Sequence, residues 1–164
     1  MARVFFSYSH RDEELRNELE THLAALKRQG VIETWHDRRI GAGENFENEI
    51  SENLQKADII LLLVSSDFIA SEYCYGVEMT RAMERHESGE AHVIPVILRP
   101  CLWHGLPFGR LQATPIDGKP VTKFPNQDDA FLEVTRAIHE AAEELSTTQG
   151  RDEEGATESA RTVE

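Results

Sequence analysis

The run Asp58-Ile59-Ile60-Leu61-Leu62-Leu63-Val64 constrains the fold of this chain more than any other stretch. A strand with one wet face alternates apolar and polar residues. A run without alternation suits a central parallel strand covered on both faces.

The rest of the chain falls into an alternation around that run. Arg3 to Ser7 predicts a short buried strand. Ser9-His10-Arg11-Asp12 resembles a capping box, with Ser at the cap and an acid three residues later. Leu15, Leu19, Leu23 and Leu26 then repeat at helical spacing until Gly30 ends the run. Val31 to Trp35 predicts a second strand, and His36 to Asn45 a polar loop. Phe46, Ile50 and Leu54 mark a second helix. Beyond the apolar run, Ser65 and Ser66 open a helical region that reaches about Glu87. Ser71 restarts it as an N-cap, with Glu72 in the first turn. His92 to Leu98 predicts a fourth strand, and Pro95, which has no N–H, puts it toward the sheet edge. Cys101 to Phe124 is irregular, and Leu111 to Ile116 predicts a weak fifth strand. Asn126 caps a last helix whose core positions are Phe131, Val134, Ile138 and Leu145.

Five alternations of strand and helix predict an α/β fold. The expected form is a flavodoxin-like, doubly wound parallel sheet of five strands in the order 2-1-3-4-5, with helices on both faces. Ligands of such sheets bind beyond the strands' carboxyl ends, where the strand order reverses. Here that place lies between strands one and three. It brings in Ser7 to His10, Ser65 to Asp67, and Glu78 on the following helix.

The 164 residues fit one domain, placed at 1–145. Residues 146–164 carry almost no large apolar side chain and read as an acidic disordered tail or linker. The net charge is −13. Removing that tail's five acids and two bases leaves about −10, which argues against a nucleic-acid surface. No apolar run approaches the roughly 20 residues of a membrane span, and the N-terminus does not read as a signal peptide. Two cysteines are too few for a disulfide framework, so a reduced, cytoplasmic setting is expected. No histidine–cysteine spacing suits a metal.

Chemistry-bearing residues gather in Ser71-Glu72-Tyr73-Cys74-Tyr75-Gly76-Val77-Glu78. Glu78 lies one helical turn after Cys74 and seven residues after Ser71, so the three share a face. Glu78 is either a solvated helix residue or a carboxylate presented to the crevice. Cys74 is either a nucleophile at a helix start or a small core residue. Trp35 and Trp103 either stack on a ligand or another subunit, or pack in the core. Gly41-Ala42-Gly43 lacks the last glycine of a dinucleotide fingerprint, Phe46 standing in its place, and reads as a mobile loop. Arg38 and Arg39 beside it meet a pyrophosphate, contact another subunit, or are solvated.

Taken in order, these segments resemble a TIR (Toll/interleukin-1 receptor/resistance) domain. The matching segments are Val4-Phe5-Phe6-Ser7-Tyr8-Ser9, the loop from Asp37 to Phe46, the apolar third strand, Ser71-x-Tyr73-Cys74-x-x-x-Glu78, and Ile94-Pro95-Val96-Ile97-Leu98. The wording is closest to bacterial defence effectors. Many members cleave the nicotinamide–ribose bond of NAD+, giving nicotinamide and ADP-ribose or a cyclic isomer. The resemblance implies that NAD+ is a substrate, that no cofactor is needed, and that Glu78 is catalytic. It places Phe6, Ser7, Tyr8, Ser9, Arg38, Ser71, Tyr73 and Cys74 around the substrate. It assigns Asp37, Arg39, Gly41, Gly43 and Glu44 to a loop that gates the site and helps self-association. Control by self-assembly in defence signalling, with a fused or separate sensor domain, follows from the same resemblance. One departure is that many members carry tryptophan four residues before the glutamate, where this chain has Cys74 with Tyr73 beside it.

Two other classes compete. Animal adaptor members are non-catalytic modules that dock TIR on TIR. A phosphoacceptor receiver domain shares the strand order, but Ser7-Tyr8-Ser9 and Ser65-Ser66 stand where it needs acids.

Overall fold

The computed structural model describes the backbone of residues 1–35 and 52–162, and side chains as far as Thr147. In chain order the elements are β1 (Ala2–Ser7), a 3-10 turn (His10–Asp12), α1 (Glu13–His22), α2 (Ala24–Arg28) and β2 (Ile32–Trp35). Next come α3 (Glu52–Lys56), β3 (Ile59–Val64), α4 (Ser66–Ala70), a π-helix (Glu72–Met79), α5 (Thr80–Glu87), β4 (His92–Ile97) and α6 (Gln127–Thr162).

The four strands form one parallel sheet in the order β2-β1-β3-β4. All six residues of β3 are buried, as an apolar run without alternation requires. Their side chains divide between two faces. Ile59, Leu61 and Leu63 join Val4, Phe6, Ile94 and Val96, under Leu19, Leu23, Leu26, Phe131, Val134 and Ile138. Ile60, Leu62 and Val64 join Phe5, Val93 and Ile97, under Leu54, Phe68, Met79, Ala82 and Met83. Helices therefore cover both faces, and the two-residue period of each strand feeds two cores.

The expected fifth strand is reduced to one residue. Thr114 makes a parallel bridge to Val96, donating to Pro95 O at 2.9 Å and accepting from Ile97 N at 2.9 Å. Pro115 follows at once and has no donor to continue a ladder. The sheet among the described residues thus has four strands rather than five. Pro95 fits the edge reading: its carbonyl faces outward to Thr114, so the missing N–H costs the β3–β4 ladder nothing.

Three helix boundaries follow local chemistry. Gly30 takes φ +71°, a left-handed value that suits glycine, and ends the α1–α2 segment before β2. Ser65 caps α4, its Oγ accepting from Phe68 N, and Ser71 caps the π-helix, its Oγ accepting from Cys74 N. At the far end, the α6 backbone stays helical to Thr162, well past residue 146, where the sequence pattern ended the helix and began a tail. Glu, Ala and Arg are frequent beyond that point and are good helix formers. Among the described residues, no helix is long and apolar enough to cross a membrane.

Candidate active site

β1 and β3 lie side by side, and Ser7 at the carboxyl end of β1 pairs with Leu62. Strand alternation turns Ser7 to the face covered by α4, the π-helix and α5. There its Oγ donates to Glu78 Oε1 at 2.9 Å, 71 residues away in sequence. Both side chains are buried, Glu78 at 3% exposure. A buried carboxylate is costly unless hydrogen-bonded, so Ser7 helps to explain how the position tolerates an acid.

The segment carrying Glu78 is a π-helix rather than the expected α-helix. Such turns are rare and recur at functional sites. Four residues make just under one π turn, so Cys74 and Glu78 still share a face. Cys74 is buried and its Sγ donates to Tyr8 O at 3.2 Å. Ser71, Cys74 and Glu78 on one segment thus meet Ser7 and the Tyr8 backbone on the other. The core alternative for Cys74 is the observed one.

The remaining expected site residues are distributed unevenly. The Phe6 ring lies in the core on the opposite sheet face from Glu78, with the Arg16 guanidinium 5.3 Å from its centroid. The Tyr8 ring belongs to the same core, 5.5 Å from Arg16, so Tyr8 reaches the Glu78 side through its carbonyl. Treating Phe6-Ser7-Tyr8 as one wall overlooks strand alternation, which sends neighbours to opposite faces. Ser9 caps the 3-10 turn, its Oγ accepting from Arg11 N at 3.3 Å. Tyr73 is half-buried on the π-helix. Asp37, Arg38, Arg39, Gly41, Gly43 and Glu44 lie outside the described residues. Trp103 is buried, stacked on His104 at 3.9 Å, whereas Trp35 is exposed at the end of β2.

A second polar cluster lies at the same sheet edge. Asp12 is buried rather than serving as the acid of a capping box. Its Oδ2 accepts from Ser65 Oγ at 2.5 Å and its Oδ1 from Arg99 Nε at 2.8 Å. Arg99 Nη2 donates to Asp67 Oδ2 at 2.5 Å, and Arg11 lies 3.6 Å from the other Asp67 oxygen. The Asp12 hydrogen bond, then the bond and charge of Asp67, raise the Arg99 pKa against the pull of desolvation. Nearby, burial pushes the Cys101 thiol up, which disfavours a thiolate there. Sequence reading does not single out Arg99. The available signal is that Asp12, Asp67 and Arg99 each lie within about five residues past the carboxyl ends of β1, β3 and β4.

Among the described residues, no three of His, Cys, Asp and Glu come together as a metal site. A cavity of about 430 Å³ beyond β4, lined by His92, Thr114, Glu133, Arg136 and Glu140 among others, includes none of the expected site residues. The chemistry gathers instead around Ser7 and Glu78.

The family model described as "TIR domain" matches residues 4–133, more than half of the chain. An uncharacterized protein, y4lF, of Sinorhizobium fredii is 64% identical over 148 residues, which cover 90% of this chain. The chain spans 46% of the length of that relative. Among solved structures, the TIR domain of the Toll-related receptor TRR-2 from Hydra magnipapillata has a TM-score of 0.47 at 22% identity, over 62% of this chain and 74% of that one. The TIR domains of the activated Roq1 resistosome, which directly recognizes the pathogen effector XopQ, have a TM-score of 0.45 at 23% identity, over 87% of this chain and 84% of that one.

Proposed function

Because the chain belongs to the TIR domain family, we propose that it is an NAD+ glycohydrolase with Glu78 as its catalytic residue. The observation that carries the reading is the buried Ser7–Glu78 hydrogen bond at the carboxyl end of β1. A hydroxyl donating to a carboxylate oxygen holds that carboxylate in a fixed orientation at the end of the sheet.

The reaction suits a single acid. Nicotinamide departs as a neutral molecule from a pyridinium, so no general acid is needed, unlike ordinary glycosides with their paired carboxylates. The bond between ribose C1′ and the pyridine nitrogen breaks, and its electron pair stays on nicotinamide. Positive charge grows on the ribose, where an ionised Glu78 stabilises it. Water then adds at C1′ and loses a proton, giving ADP-ribose. An adenine nitrogen adding at the same carbon gives the cyclic isomer instead.

Self-association with further TIR domains belongs to this reading, with the 37–45 loop as its contact and a fused or separate sensor region as its trigger. The setting is immune or defence signalling in the cytoplasm. The experiment is to incubate the chain with NAD+ under crowded conditions and separate the products. Wild type releases nicotinamide with equimolar ADP-ribose or its cyclic isomer, and Glu78→Ala does not. Equal release by both proteins refutes the assignment.

A further inference from the structure

We infer that Arg99 is a positioning residue for the Glu78 site, because one guanidinium grips the two chain segments that carry Ser7 and Glu78. The consequence for turnover rests on the NAD+-cleavage reading above; the mechanical consequence does not.

Ser7 is the last residue of β1, and five residues later the same segment ends its 3-10 turn in Asp12. Asp67 lies in the first turn of α4, whose far end, Ser71, caps the π-helix bearing Cys74 and Glu78. Arg99 stands just past β4 and gives Nε to Asp12 and Nη2 to Asp67. The spacing of two nitrogens on one rigid plane therefore constrains the relative placement of the two segments. A lysine ammonium is a single point charge on a flexible stem and does not reproduce that spacing. The same segments also meet directly, through Ser65 Oγ to Asp12, Arg11 to Asp67, Ser7 Oγ to Glu78, and Cys74 Sγ to Tyr8 O, the last a weak donor.

Two magnitudes decide what the clamp does. Arg99 and Asp67 are each one-third exposed, so their pair adds little to global stability, and buried Asp12 keeps its Ser65 hydrogen bond when Arg99 is lost. A displacement of about 1 Å at a reacting group can cost roughly a hundredfold in rate. Loss of the clamp is expected in turnover more than in folding.

The test uses Arg99→Ala, Arg99→Lys and Asp67→Asn, read by amide hydrogen exchange and by nicotinamide-release kinetics. Arg99→Ala is expected to speed exchange at Cys74 to Met79 while Ile60 to Leu63 of β3 keep wild-type protection. Its kcat falls roughly 10- to 100-fold with KM within about twofold. Arg99→Lys recovers part of kcat, and Asp67→Asn combined with Arg99→Ala costs little more than Arg99→Ala alone. Unchanged exchange at Cys74 to Met79 overturns the clamp, as does a loss spread equally over β3. A wild type that releases no nicotinamide sinks the NAD+ reading instead, and the exchange result still decides the clamp.

Discussion

Ser7 Oγ lies 2.9 Å from Glu78 Oε1, and this bond joins the end of β1 to the π-helix that follows β3 and α4. It makes the glutamate part of the sheet's carboxyl edge rather than of a solvated helix face. The Ser7→Ala variant tests how much that bond matters. Leaving a buried acceptor short of one donor costs about 1–3 kcal/mol. We expect a melting temperature lower by roughly several degrees and a roughly tenfold or greater fall in nicotinamide release. The check is calorimetry beside initial rates; a Ser7→Ala protein with wild-type values in both removes Ser7 from the site.

The edge of the sheet predicts a pH effect on stability. His86 Nδ1 accepts from Val93 N of β4 at 3.1 Å, a role that needs the neutral ring. Burial, then the neighbouring His92 and Arg110, lower its pKa from the ordinary 6.5, against a smaller opposing effect of Glu87. The folded state thus disfavours the proton. The stabilisation is complete above the ordinary histidine value and is lost as pH falls through the folded value. His86→Asn keeps an acceptor without a titration, and its urea-unfolding free energy is expected to vary less than wild type between pH 7.5 and 5.5. Parallel curves for the two proteins contradict this.

Gly118 predicts a packing effect. It takes φ +69°, and a Cβ there would come within 2.6 Å of the buried Trp103 ring. Gly118→Ala is strained in backbone and in contact together, so we expect destabilisation of more than about 1 kcal/mol. Trp103 is expected to shift with it, read as a change in tryptophan emission before unfolding begins. An unchanged spectrum and midpoint speak against the close contact.

Local chemistry was the most legible part of the sequence. Ser65 and Ser71 are caps because a short hydroxyl side chain reaches a nearby amide, and that follows from a few neighbouring residues. The four strands announced themselves by apolar runs, β3 most clearly. Leu111 to Ile116 lacks such a run and ends against Pro115, and it yields a single bridge. The π-helix was not legible, because its residues also satisfy an α-helical pattern. Asp12 looked like a capping acid, yet its partners are 53 and 87 residues away. Ion pairs between distant loops leave no periodic trace, and so Arg99 was invisible until β1, β3 and β4 were aligned. Phe6 shows the reverse: the two-residue period already separated it from Ser7, and the motif had merged them.

The most direct measurement compares wild type with Glu78→Gln in crowded, assembly-promoting solution, following nicotinamide released from NAD+. Glutamine keeps the size of the side chain and an oxygen for the Ser7 hydroxyl, and replaces the charged carboxylate with a neutral amide. Nicotinamide release is expected to fall about a hundredfold or more, with the thermal midpoint little changed. Release by Glu78→Gln within about twofold of an active wild type contradicts it, because the charge on Glu78 would then take no part in breaking the glycosidic bond.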